Sequence, residues 1–160
     1  MITLEKDTAK YVHSLHAMQV HSFSSHLEKY QDETTNPACE SLEKTLIRIN
    51  DPLRGFYKIL KDSVLVGGIG VKHISSDTLF IGPVFVDPTF RNQKIAQEAL
   101  IFLEELFPSI ATFQLATIVQ ELGNIYLYEK LGYVATGEVR NINPIMDIMF
   151  STKMGKFHAL

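Results

Sequence analysis

Residues 56–86 restrict the fold more than any other part of the chain. Three short runs, 56–61, 64–73 and 79–86, are rich in aromatic and β-branched residues. Asp62-Ser63 and Ser75-Ser76-Asp77 punctuate them. Runs of this length between such residues read as strands joined in an antiparallel meander. The flanking sequence has a different period. From about residue 7 to residue 30, Tyr11, Leu15 and Met18 recur at helical spacing, although Phe23 and Leu27 fit it less neatly. The polar stretch 30–37 reads as a loop. Asn36-Pro37 has the form of an N-cap followed by a proline at the first helical position. Leu42, Leu46 and Ile49 then mark one face of a second helix, which Asp51-Pro52 ends.

Val86-Asp87-Pro88 closes the third run. A helical stripe of Ile95, Ala99, Phe102 or Leu103, and Leu106 follows, stopped by Pro108. Alternation resumes over 111–119, with Phe113, Leu115, Thr117 and Val119 on one side. Residues 124–131 form a short helix that Gly132 suits as a C-cap. Two strands, near 133–140 and 145–151, complete the order β-α-α-β-β-β-α-β-α-β-β. A central mixed, largely antiparallel sheet with helices on both faces satisfies that order, an α/β (α+β mixed) class in one domain over 1–160. The parallel step falls in the β-α-β unit built from 79–86, 92–107 and 111–119.

Composition excludes several function classes. A chain of 160 residues fits one domain and buries enough surface to fold without a staple. Its net charge of −3 lacks the clustered basic excess of a nucleic-acid binder. No apolar run reaches membrane-span length. The N-terminus lacks a basic-then-apolar signal pattern, so the cytoplasm is the expected compartment. Cys39 is the only cysteine and offers neither an internal disulfide nor a cysteine metal site. It reads as a small buried helix residue. His13, His16, His21 and His26 do not have convincing metal-ligand spacing, so no metal is expected. Gly67-Gly68-Ile69-Gly70 lies in the meander with no helix after it, which argues for tight strand packing rather than a dinucleotide fingerprint.

Three segments carry chemistry. Gly82-Pro83 interrupts the third run. Proline cannot donate to a ladder, and a break there leaves backbone groups of Val84, Phe85 and Val86 partly unpaired. Taken alone, the pair reads first as an edge strand; the other reading is a slot that pairs with an extended ligand. Arg91-Asn92-Gln93-Lys94-Ile95-Ala96 stands at a strand-to-helix junction. There, free backbone N–H groups and the helix dipole favour an anion. By itself it reads first as an ordinary basic loop before a surface helix. Asn124 and Tyr128, four apart, share a helix face and offer an amide and a phenol. By themselves they read first as a capping or surface asparagine beside a half-buried tyrosine.

Together, residues 86–96 and 124–133 resemble the two motifs of the GNAT superfamily of N-acetyltransferases. The first motif reads Arg or Gln, two variable residues, Gly, one variable residue, then Gly or Ala. The second is matched by Leu127-Tyr128-Glu129-Lys130-Leu131-Gly132-Tyr133. The resemblance covers about residues 55–152 by motif and spacing, and the rest by element order. One position departs: Lys94 stands where the family has its first glycine. A lysine already in helical conformation keeps its backbone N–H and adds a cation.

The resemblance implies acetyl-CoA as co-substrate. Pantetheine would lie in a gap between strands 79–86 and 111–119, bonded to backbone at Phe85 and Val86. The pyrophosphate would meet the N–H groups of Asn92, Gln93, Lys94, Ile95 and Ala96, with Arg91 adding charge. Asn124 would contact the pantetheine arm, and Tyr128 would protonate the departing thiolate. The implied reaction is direct attack of a primary amine on the thioester, through a tetrahedral intermediate that a backbone N–H near Val86 stabilises. The acceptor would be a small-molecule, peptide or protein amine. Dimers are common in the family, and a non-catalytic acyl-CoA-binding module on the same fold is the alternative. The general base is not fixed; Asp32, Glu33 and His73 are the candidates.

Overall fold

A computed structural model of the chain describes residues 1–91 and 93–156. In order, its elements are β1 (Ile2–Lys6), α1 (Val12–Tyr30), α2 (Leu42–Asn50), β2 (Arg54–Lys61), β3 (Val64–His73) and β4 (Thr78–Val86). Then come α3 (Ile95–Leu106), β5 (Thr112–Ile118), α4 (Leu122–Lys130), β6 (Val134–Asn143) and β7 (Met146–Met154). Single 3₁₀ turns at Pro37–Cys39 and Pro88–Phe90 precede α2 and α3. The strands form one sheet in the order β1-β2-β3-β4-β5-β7-β6. β4 and β5 run parallel, and every other neighbouring pair is antiparallel. Both the mixed sheet and the parallel step fall where the sequence predicts them.

The meander is shaped by its turns. Lys61 pairs with Val64, so Asp62 and Ser63 alone reverse the chain, with φ of 49° and 70°. A two-residue connection with both φ positive matches the right-handed twist of the strands it joins. Alternation along β2 then sends Phe56 to one face of the sheet and Tyr57 and Ile59 to the other. On the first face, Leu15 of α1 packs with Phe56 and Phe85, and Met18, Phe23 and Ile49 surround them. On the second, Ile95, Ala99, Leu100 and Leu103 of α3 meet Ile59, Val66, Ile69, Leu79, Ile81, Phe113 and Leu115. Burying a side chain of this size contributes about 1.5–3 kcal/mol.

The glycines of β3 set how closely these layers approach. A Cβ at Gly68 would fall 2.6 Å from the Phe85 ring and 2.9 Å from Leu15. One at Gly70 would fall 2.5 Å from the carbonyl oxygen of Gly82 and 2.9 Å from Arg48. Tight packing, as the sequence suggests, is what these positions require.

Four local expectations need correction. α1 begins at Val12 rather than near residue 7, because the Asp7 N–H donates to the Phe56 carbonyl and prolongs the β1–β2 ladder (2.7 Å). Asn36 does cap, but it caps the 3₁₀ turn, accepting from the Ala38 N–H (2.7 Å). α2 has its own cap, the Ser41 hydroxyl, which accepts from the Lys44 N–H (3.1 Å). Cys39 therefore sits exposed in a turn and not buried in a helix. Lys94 is not helical either: it precedes α3 in the left-handed region, φ 57° and ψ 21°.

Candidate active site

The parallel ladder between β4 and β5 is short. It runs from Thr78 opposite Thr112 to Ile81 opposite Leu115, and ends there. Gly82-Pro83 follows at once, joined by a cis peptide bond, and the β3–β4 register shifts at the same place. Beyond it, Val84, Phe85 and Val86 stay paired with Ile69, Gly68 and Gly67 of β3. Their other edge has left β5. The two parted lips, Gly82 to Val84 and Leu115 to Ile118, line a cavity of about 630 Å³. The fold thus makes the slot that the Gly-Pro pair suggests.

Asn124 and Tyr128 of α4 both line this cavity. Tyr128 is half-buried, with its ring edge-on to Tyr133 at 6.1 Å. Burial pushes its phenol up to about 12. It therefore remains protonated, a donor, across the whole neutral range. Among the described residues its hydroxyl has no hydrogen-bond partner. Tyr133, by contrast, donates to Glu104 (3.2 Å), and burial followed by the Glu104 charge raises it strongly.

The segment 91–96 lies at the C-terminal end of β4. Asp87 caps the turn after the strand, its carboxylate accepting from the Thr89 N–H (2.9 Å), and Pro88 holds the next position. The buried side chain of Ile95 anchors the start of α3 in the core. No side chain among the described residues caps this helix, and its first internal bond runs from the Glu98 N–H to the Lys94 carbonyl (3.1 Å). The N–H groups of Ile95, Ala96 and Gln97 are thus without intrahelical acceptors. Arg91, Gln93 and Lys94 are exposed beside them, and Gln93 accepts from Lys61 (2.5 Å). Asn92 lies outside the described residues. The left-handed backbone at Lys94 explains why glycine suits this position, since only glycine adopts that conformation without cost.

Of the candidate bases, Asp32 and Glu33 line the cavity and His73 does not. His73 packs on Phe107 (5.7 Å). Asp32 is buried and fully engaged: Thr34 and Thr35 each donate both a backbone N–H and a hydroxyl to it. Burial pushes its carboxyl up, but the Thr35 and Thr34 hydrogen bonds outweigh this and hold it below the usual carboxylate range. It folds the loop rather than accepting protons.

The cavity also gathers residues with no distinguishing sequence signal. Glu40 accepts from Arg48 (2.6 Å), Gln19 (2.7 Å) and Thr45 (3.1 Å), and the Arg48 guanidinium stacks on Phe56 (4.6 Å). These groups come from α1, α2 and the turn between them, and only tertiary packing joins them. The histidines of α1 do not converge. His16 Nε2 meets the Glu40 carbonyl (2.7 Å), whereas His26 lines the cavity with its Nε2 3.1 Å from Glu121 Oε1. Among the described residues no helix is long and apolar enough to cross a membrane.

Comparison with known proteins agrees with this geometry. The sequence model of the acetyltransferase (GNAT) family matches residues 13–133. A search of curated protein sequences finds no match. Among solved structures, spermidine N-acetyltransferase from Vibrio cholerae, in complex with CoA and spermine, superposes with a TM-score of 0.78 at 15% identity. That alignment covers 99% of this chain and 98% of that one. The ribosomal-protein-S18-alanine N-acetyltransferase of Escherichia coli gives 0.74 at 15% identity, covering 97% and 94%. The acetyltransferase from Salmonella typhimurium that modifies the N-terminal serine of ribosomal protein L7/L12 gives 0.74 at 16% identity, covering 96% and 94%. At these identities the structural likeness speaks for the fold, while the family match extends over most of the chain. The chain therefore belongs to the acetyltransferase (GNAT) family of acetyl-CoA-dependent N-acetyltransferases.

Proposed function

We propose that this protein transfers the acetyl group of acetyl-CoA to a primary amine in the cavity between β4, β5 and α1, with Tyr128 as the general acid. The observation that carries this is the parting of β4 from β5 after Ile81 and Leu115, which opens the sheet beside Asn124 and Tyr128. Acetyl-CoA supplies an activated thioester, so no nucleophile from the protein is required. The residues present fit it. The free edge of Val84 to Val86 offers backbone groups to the pantetheine amides, and Asn124 stands across the gap. The N–H groups of Ile95 and Ala96, with Arg91, Gln93 and Lys94 around them, form an anion site for the pyrophosphate. Lys94 reaches this role through its left-handed backbone and its charge.

The proton inventory gives Tyr128 its task. A thiol of ordinary pKa about 8.5 leaves as a thiolate that must be protonated. Tyr128 keeps its proton to about pH 12 and can donate a hydrogen bond as charge builds on sulfur. Complete transfer from such a phenol to an ordinary thiolate is uphill by roughly 5 kcal/mol at 1.36 kcal/mol per unit. The same dry surroundings raise a thiol as well as a phenol, which narrows that gap. An amine of pKa about 10.4 must also lose a proton before it attacks, at a cost of about 4.6 kcal/mol at pH 7.

The acceptor would enter the cavity of about 630 Å³ beside the thioester. A polyamine and a protein N-terminus are the two forms to test. Thiol release from acetyl-CoA in the presence of spermidine, or of a peptide beginning with alanine, tests the proposal directly. Binding of CoA without turnover of either would favour a non-catalytic acyl-CoA-binding module.

A further inference from the structure

We propose that His26 is the general base that removes the proton from the acceptor amine, and that Glu121 is the residue that positions it. This rests on the acetyl-transfer reading above. His26 stands on α1, and its ring borders the same cavity as Tyr128 and Asn124. Its Nε2 lies 3.1 Å from Glu121 Oε1, at the turn between β5 and α4. A carboxylate at that nitrogen selects the tautomer that carries hydrogen on Nε2, because a carboxylate only accepts. Nδ1 is then the nitrogen with the lone pair. The ring is clamped as well: Phe23 and Tyr30 flank it, with centroids at 6.3 Å and 5.9 Å. A base oriented by a carboxylate, in a cavity shared with the acid, is the arrangement that nucleophile activation requires.

Glu121 is held ionised for this. Its second oxygen accepts from Lys29 Nζ (2.9 Å) and from the Tyr30 hydroxyl. Burial raises its carboxyl, and the Tyr30, Lys29 and His26 interactions together bring it below its ordinary value. The Tyr30 carbonyl accepts from Asn143 Nδ2 (2.8 Å), which pins the end of α1 to the β6–β7 turn across the cavity. Among the described residues, the groups around this pair are Lys29 and Tyr30 from α1 and Glu121 from the β5–α4 turn, and Asp32, Glu33, Glu40, Lys44, Arg48, Tyr128 and Arg140 line the same cavity. The rivals are weaker. Asp32 is consumed by Thr34 and Thr35, Glu40 by Arg48, Gln19 and Thr45, and His73 is elsewhere. Glu33 is an exposed loop carboxylate that no partner among the described residues orients.

The step balances. Nδ1 of His26 takes one proton from the ammonium, directly or through a water, and later loses it to solvent. The neutral amine forms its N–C bond to the acetyl carbon as the C–S bond breaks. The second amine proton leaves the new amide nitrogen and replaces the one that Tyr128 gives to sulfur.

The test uses the full chain with acetyl-CoA and two acceptors, spermidine and a peptide beginning with alanine. His26→Gln keeps a group able to hydrogen-bond Glu121 but removes the base. We expect it to lower kcat/KM about 10²-fold at pH 7, with CoA affinity unchanged. As pH rises toward 10, the amines deprotonate unaided and the deficit should shrink to within about 3-fold. The deficit should be smaller throughout for the peptide, whose α-amine has an ordinary pKa of about 7.7–8.0. Glu121→Gln should show the same pH pattern with a smaller loss. An equal loss at every pH, or no loss, overturns the assignment, as does a pH-dependent loss in Glu33→Gln in place of His26→Gln. If the unaltered protein binds CoA yet acetylates neither acceptor, the acetyl-transfer reading fails first and the base assignment falls with it.

Discussion

Ile81 and Leu115 are the last residues at which β4 and β5 remain paired. A parallel ladder four residues long is enough to hold the two halves of the sheet together. Its early end leaves the edge of Val84 to Val86 without a β5 partner, and Val84 lines the cavity. The glycine-proline pair just beyond Ile81 is the local cause, since proline has no N–H with which to continue the ladder.

Tyr128→Phe should reduce kcat by about 10²-fold while leaving the affinity for CoA nearly unchanged. The phenol is raised to about 12 by burial, so the deficit should be uniform from pH 6 to pH 10. Steady-state rates of thiol release across that range measure it. A deficit that disappears at one end of the range would assign the proton to another group.

Lys94→Gly separates the N-cap geometry from a helical one. At a left-handed position glycine relieves strain, and the folded state should gain up to about 1 kcal/mol. Inside a helix the same change would cost about 1 kcal/mol. Urea denaturation reads the sign. Titration with CoA on the same variant then measures what the lysine charge contributes to the anion site.

Gly70→Ala should be destabilising by about 1–3 kcal/mol, because the added carbon would lie 2.5 Å from the Gly82 carbonyl oxygen and 2.9 Å from Arg48 and Pro83. The contact is with backbone at the very point where β4 turns from β5. Thermal unfolding should show a lower Tm, and affinity for CoA should fall with it. Gly123→Ala, where a Cβ meets nothing within 4 Å, is the control.

Asp32→Ala removes the acceptor of four hydrogen bonds from Thr34 and Thr35. The loss of stability at pH 7 should be about 1–3 kcal/mol. The folded carboxyl is held below its ordinary value of 3.8, so its contribution is complete above that value and disappears as pH falls through the lowered one. The original and altered proteins should therefore converge in stability in strong acid. Convergence at neutral pH would contradict the structural role given to Asp32.

Much of this was legible in the chain itself. Aromatic and β-branched runs with polar turns determined the meander, because alternation along a strand requires one buried face and Asp62-Ser63 can reverse it. Pro83 determined where the ladder with β5 must fail. The four-residue spacing of Asn124 and Tyr128 put both on one helix face, and the structure places both at the same cavity. Local sequence was less informative where two elements compete for the same residues. Asp7 opens a stretch that reads as helix yet is claimed by the β2 ladder, and Lys94 sits in a motif that reads as helix yet is its left-handed entrance. The α1–α2 side of the cavity was settled only by tertiary structure. His26 and Glu121 are 95 residues apart, and Glu40 meets Gln19, Thr45 and Arg48 only when the two helices pack on the sheet. Contacts of that kind follow from the closing of loops over the core, and no local period or spacing records them.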